Sequence, residues 1–317
     1  MQNSILQHLH SLISHNVIGY KQYVSRYKGF VGELSFQQWL QHNQRSQCTG
    51  GYFLPVTVGA TALKNPIYFT VSSDPPTDYV SLYHKIQNIG CHSLFFIQWI
   101  ADDWRDWIPR DVMAVAVALP VPRFTCYRFD SLNSCFVRCE VQDFLGLYPD
   151  QPRAHKQPIA ANIEREWLEK LAVFDETMLL NLYVQRLFFD GFIGLGKRKG
   201  IPTDIDVIIK QGSPTTDYVL IEVKEKDLSK NQCFGMDQQR IQDIIQISQA
   251  AELEYYYVVK HVNNQQDRVF LNWRYINMFD FIQHLNTALV QGGTGMRSES
   301  SSNPTQLCHQ RFFKTFV

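Results

Sequence analysis

Apolar positions along the chain change period several times, and each change marks an element. In the first 45 residues Ile5, Leu6, Leu9, Leu12 and Ile13 share one helical face, and Phe30, Leu34, Phe36 and Leu40 form a second stripe, which predicts two helices. Short runs of β-branched and aromatic residues follow at Gly51 to Val58, Ile67 to Val71, Ser93 to Trp99, Val112 to Leu119 and Phe136 to Val141. Turns such as Ser73-Asp74-Pro75-Pro76 separate them, and Tyr79 to Ile89 reads as a helix between two of the strands. Residues 148–158 carry three prolines and no apolar period, the composition of a linker. Beyond it a helical pattern spans 162–190, broken near Phe174-Asp175 and closed by Asp190-Gly191, where glycine suits a C-cap.

The most informative stretch comes next. Thr203-Asp204-Ile205-Asp206-Val207-Ile208-Ile209 and Tyr218-Val219-Leu220-Ile221-Glu222-Val223-Lys224 read as adjacent strands. Side chains alternate along a strand, so Asp204 and Asp206 share a face, as do Glu222 and Lys224, while Ile205, Val207, Ile209, Val219, Ile221 and Val223 take the other. Two carboxylates ~4 Å apart repel by roughly 4 kcal/mol at an effective dielectric near 20, so a cation is expected between them. Oxygen ligands without nearby Cys or His favour a hard ion, Mg²⁺ or Mn²⁺. A helix from Asp237 to Ala251, strands at Glu254 to Val262 and Val269 to Trp273, and a helix from Met278 to Leu289 complete the pattern, with residues 291–306 reading as disordered.

Length and composition narrow the class. A chain of 317 residues, 45% hydrophobic, fits two modest domains, and no apolar run approaches a membrane span or a secretion signal, which makes the cytoplasm the expected compartment. Seven scattered cysteines suit reduced thiols, and Cys126, Cys135 and Cys139 lack a fourth partner for zinc. Thirty basic residues balance thirty acidic ones, so any nucleic-acid contact must be local. Lys197-Arg198-Lys199 before the first acidic strand, and Lys226 and Lys230 after the second, are the candidates for phosphate contact.

The order helix, strand, strand, strand with Glu-x-Lys, helix, strand predicts a mixed α/β sheet flanked by helices. With Pro-x-Asp-x-Asp-Val-Ile-Ile and Ile-Glu-Val-Lys, residues 164–262 resemble the PD-(D/E)xK nuclease superfamily, which includes restriction endonucleases and Holliday-junction resolvases. The resemblance implies a Mg²⁺- or Mn²⁺-dependent DNA endonuclease of restriction, phage defence or mobile-element processing. In it Asp206 and Glu222 hold metal, Asp204 is a further candidate ligand, Lys224 orients the nucleophile, and a helix glutamate assists. Glu176 is the best match for that glutamate, with Glu164 and Glu166 behind it; Gln238, Gln239 and Arg240 supply polar groups on the following helix, Gln238 and Arg240 for DNA contact. Cutting both strands implies a homodimer or a partner subunit.

This reading divides the chain into an α/β accessory or target-recognition domain (1–148), a linker (149–161), a nuclease-like domain (162–290) and a flexible tail (291–317). The cadence from Gly29-Phe30-Val31-Gly32-Glu33-Leu34 through strand 93–99 is that of a degenerate nuclease-like copy, with Ser72 and Ser73 where acids would stand, or of an unrelated α/β module. Trp99, Trp104 and Trp107 with Asp102, Asp103 and Asp106 mark either a recognition surface or a core. Two functions compete with the nuclease: an inactive DNA-binding or assembly module, and a metal hydrolase of nucleotides or small phosphates.

Overall fold

The computed structural model describes residues 2–14, 17, 19–57, 61–107, 118–147, 158–193, 202–211, 218–287, 290–291 and 304–316. The chain forms two compact units, Met1–Tyr27 with Gly51–Pro202, and Lys28–Gly50 with Thr203–Val317. That division differs from the expected boundary at 149–161, most of which lies outside the described residues.

The first unit holds α1 (Gln2–Ser14), whose Ile5, Leu6, Leu9, Leu12 and Ile13 are buried as the stripe predicts, and the start of α2 (Tyr20–His42). Its sheet runs from the end of β1 (Gln47–Pro55) through β2 (Pro66–Ser72), β3 (Ser93–Trp107), β4 (Leu119–Asp130) and β5 (Cys135–Cys139), with α3 (Val80–Ile86) between β2 and β3. Only β2 and β3 are parallel, and all seven residues of β2 are buried, the pattern of a strand covered on both faces. Trp99 is core, whereas Trp104, Asp102 and Asp103 are exposed, the acids paired with Arg123 and Arg105.

A short α4 (Val141–Leu145) precedes α5 (Ala161–Leu171) and α6 (Glu176–Arg186). The break falls where expected: the Asp175 side chain accepts from Met178 N at 2.8 Å and restarts the helix. Gly191 does not cap it. The helix continues as a π-turn, Leu187–Ile193, because Asp190 is drawn inside to Arg26 at 2.5 Å and Arg186 at 3.5 Å while Phe189 stacks on Tyr52.

The second unit is built on β6 (Thr203–Lys210), β7 (Tyr218–Lys226), β9 (Glu254–Val262) and β10 (Phe270–Asn277), separated by β8 (Cys233–Asp237) and α7 (Gln238–Ala251). Its sheet order is β13-β10-β9-β7-β6-β1, where β13 is Lys314–Thr315 and β1 contributes residues up to Gly50. β7 and β9 are parallel, as a strand–helix–strand connection through α7 requires, and β6 pairs antiparallel with β7. Gly50 lies so close to β6 that a Cβ there would meet the Ile205 carbonyl oxygen at 1.8 Å. A helix, α8 (Met278–Gln283), ends sooner than the predicted 289.

One sheet face carries Val207, Val219, Ile221, Val223 and Val258 against Phe36 and Leu40 of α2. This packing goes with the assignment of α2 from Lys28 onward to the second unit, so Gly29–Leu34 does not open a nuclease-like copy in the first. The C-terminal segment also departs from expectation. β11 (Val290–Gln291) and β12 (Pro304–His309) join β8 in a three-stranded sheet, and β13 pairs with β10, because Leu307, Cys308 and Phe313 are buried. No described helix is long and apolar enough to cross a membrane.

Candidate active site

The register of β6 on β7 pairs Val207 with Ile221, so Asp206 and Glu222 follow one residue further on, on the face opposite the valines. Both are buried; the Asp206 side chain is 2% exposed and that of Glu222 fully enclosed. Asp206 Oδ2 accepts a hydrogen bond from Val223 N at 2.7 Å. Lys224 Nζ stands 2.8 Å from Glu222 Oε1 and 3.5 Å from Asp206 Oδ2, bridging the two acids, with its side chain 38% exposed.

α7 closes the same face from its first turn. Arg240 donates through Nη1 to Thr203 Oγ1 and through Nη2 to Glu222 Oε2 and, at 2.8 Å, to the Asp204 carbonyl; Asp204 Oδ1 is 3.2 Å away. Helical phase explains the placement: Ile241, Ile244 and Ile247 are buried, and Arg240 shares the inward side closely enough to reach under the strands.

The two acids titrate in opposite directions. Burial first, then Glu222, raises the Asp206 carboxyl well above its ordinary value; Lys224 opposes this, and Glu33 and Asp204 add to it. Burial also pushes Glu222 up, but Arg240 and then Lys224 outweigh it and hold Glu222 ionised. Burial depresses Lys224, yet Asp206 and Glu222 more than reverse this, so the ammonium stays charged at neutral pH. It is therefore a source of positive charge and not a base.

Asp204, Asp206, Glu222 and Lys224 thus converge as the alternation predicts. Glu176 opens α6 in the first unit, where Glu164 meets His10 at 3.5 Å and Glu166 pairs with Lys170 at 2.6 Å one turn on. After Glu222, Glu33 of α2 adds to the negative field at Asp206, and α2 packs closely here, with Gly32 against the β7 backbone at Glu225. Its signal was Gly-Glu-Leu within the second apolar stripe.

Arg240 is likewise corrected: it is committed to Glu222 and Thr203 and is no surface contact for DNA. Gln238 and Lys226 are half-buried, Lys230 is exposed, and Gln239 binds Asp243 at 3.0 Å. Lys197, Arg198 and Lys199 lie outside the described residues. Arg268 and Lys260 pair with Glu225 on the α2 side of β7, where Lys260 Nζ also donates to Ser35 Oγ at 2.9 Å.

No family model, curated protein or solved structure matches this chain. The chemistry of the site therefore rests on its own donors. Among the described residues no three His, Cys, Asp or Glu form a ready-made metal cage. A Mg²⁺ ion does not need one, since it takes one or two carboxylates and completes its shell with water and substrate phosphate. The residues fit such an ion on two counts. Glu222 Oε1, fully buried, meets Lys224 as an ion pair but receives no aligned hydrogen bond, and burial and then Glu222 set Asp206 against ionising, a cost that a cation would offset.

Proposed function

We propose that this chain is a Mg²⁺- or Mn²⁺-dependent DNA endonuclease of the PD-(D/E)xK type, acting in restriction, phage defence or mobile-element processing. The observation that carries the reading is the convergence of Asp206 and Glu222 from neighbouring strands with the Lys224 ammonium spanning them. The order helix, strand, strand, strand with Glu-x-Lys, helix, strand supports it, supplied in the second unit by α2, β1, β6, β7, α7 and β9. Segments 51–202 stand between the second and third of these.

Asp206 and Glu222 would hold the metal, with Glu33 and Asp204 contributing charge around it. When bound, such an ion lowers the pKa of a water and neutralises the scissile phosphate. Lys224, its side chain 38% exposed, presents its charge where a phosphate approaches and orients the attacking water beside Glu222. Arg240 holds Glu222 ionised and fixes its rotamer from below. Double-strand cutting by this site would call for two copies.

The test is incubation of purified protein with supercoiled plasmid in Mg²⁺, Mn²⁺ or EDTA. Nicked or linear product that requires metal and disappears in Asp206→Ala and Lys224→Ala, with melting temperatures that show both variants folded, is the expected result. Cleavage by either variant at the wild-type rate would sink the assignment. A second reading, an inert DNA-binding module, draws on the hold of Arg240 on Glu222, and plasmid that is bound but uncut in both metals would favour it.

A further inference from the structure

Two cations stand among the acids of the site: Lys224 bridges Asp206 and Glu222, and Arg240 pairs with Glu222 and stands 3.2 Å from Asp204 Oδ1. The two cations are not equivalent. Lys224 lies on the open side with 38% of its side chain exposed, whereas Arg240 enters from α7 with 14% exposed. A guanidinium does not give up its proton in a protein, so its charge is a permanent part of the site.

Phosphodiester-cleaving sites that use two metals place them about 3.5–4 Å apart and share carboxylate oxygens between them. Here those oxygens are already divided. Glu222 Oε2 is taken by Arg240 and Oε1 faces Lys224, while Asp204 Oδ1 stands 3.2 Å from the guanidinium and its carbonyl accepts from Nη2 at 2.8 Å. Thr203 Oγ1 fixes Nη1, so the fork is held in place at both ends.

We propose that Arg240 is a built-in cation standing where a second metal would otherwise bind, so that the site takes one divalent ion. The inference rests on the metal-dependent reading above and adds to it a stoichiometry that the acids alone would not suggest. Arg240 is on this view a positioning residue, acting through Glu222 and Asp204.

The full chain titrated with Mn²⁺ provides the test, by calorimetry for the number of ions and electron paramagnetic resonance for their separation. Wild type and Arg240→Lys should each bind one Mn²⁺ per chain, with the spectrum of an isolated ion. Arg240→Met, checked for folding by circular dichroism, should bind two, with dipolar broadening. Two ions in wild type, or one in folded Arg240→Met, would overturn the inference while leaving the metal site standing. If Arg240→Met does not fold, the wild-type and Arg240→Lys stoichiometries decide. Wild type that binds no Mn²⁺, like Asp206→Asn, would overturn the metal reading and this inference with it.

Discussion

Replacing Arg240 by methionine keeps most of the side-chain stem and removes the guanidinium from beneath Glu222. The fully enclosed carboxylate is then left with Lys224 as its only cation, and Thr203 Oγ1 and the Asp204 carbonyl lose their donor. Removing one partner of a buried ion pair costs about 3–5 kcal/mol. At a urea slope near 2 kcal/mol/M, that lowers the unfolding midpoint by roughly 2 M. Trp39 and Trp273 pack in the core of the second unit and give a fluorescence signal for the transition, followed at pH 7 in EDTA. In a Glu222→Gln background no charge is stranded, so the same replacement should cost only about 1–2 kcal/mol for its lost hydrogen bonds. The coupling between the two positions is then about 2–3 kcal/mol. Equal losses in both backgrounds, within about 0.5 kcal/mol, would refute the assignment of Arg240 as the counter-ion of Glu222. The pH dependence adds a check of sign. Although burial alone raises Glu222, Arg240 and Lys224 bring it from an ordinary 4.5 down to about 2, so its contribution is complete above pH 4.5 and lost as the pH falls towards 2. The coupling should therefore persist at pH 4, where an ordinary glutamate has largely lost its charge.

Asp206 should behave in the opposite sense. Its carboxyl is raised by burial and then by Glu222, so its contribution to stability is complete below the ordinary carboxylate range and lost as pH rises through the raised value. Metal-free Asp206→Asn should accordingly melt above wild type at pH 8, with the advantage shrinking towards pH 4; a lower melting temperature at pH 8 would count against the charge balance described. Glu33→Gln should reduce plasmid cleavage about 10- to 100-fold, as loss of an outer partner of a metal site does, while Glu176→Gln leaves it unchanged. Equal effects of the two would remove Glu33 from the site. Gly50→Ala, whose Cβ would fall 1.8 Å from a β6 carbonyl, should destabilise by about 1–3 kcal/mol or more in urea melts, and a neutral result would contradict the close approach of β1 to β6.

What could be read from the sequence is local. The alternation over Asp204 to Ile209 and Val219 to Lys224 is a property of neighbouring residues, and it correctly placed the acids and lysine on one face and the valines on the other. That Glu33 is felt at Asp206 was illegible because nothing local ties Lys28–Gly50 to a strand that begins at Thr203. Glu176 drew attention as the helix glutamate; with Asp175 it also makes an ordinary helix start. Arg240 was misread for another reason: charge suggests solvent, and only the phase of α7 against β7 shows that the guanidinium points inward. The strand Pro304–His309 was hidden by the Ser- and Gly-rich stretch before it, which biased the whole tail towards disorder.

The passage of the chain from Gly50 to Thr203 by way of a separate unit has a consequence during synthesis. At about 5–20 residues per second a ribosome needs roughly ten to thirty seconds to make residues 51–202. For most of that interval Phe36, Trp39 and Leu40 of α2 are already outside the ribosome, while the valines of β6 and β7 that will cover them have not been made. The first unit has most of its residues available by then and can complete its own core. The second can form only once Thr203 onward is made, and until then its nascent α2 face is open to mispairing and chaperone capture, before Asp206 and Glu222 exist to be brought together.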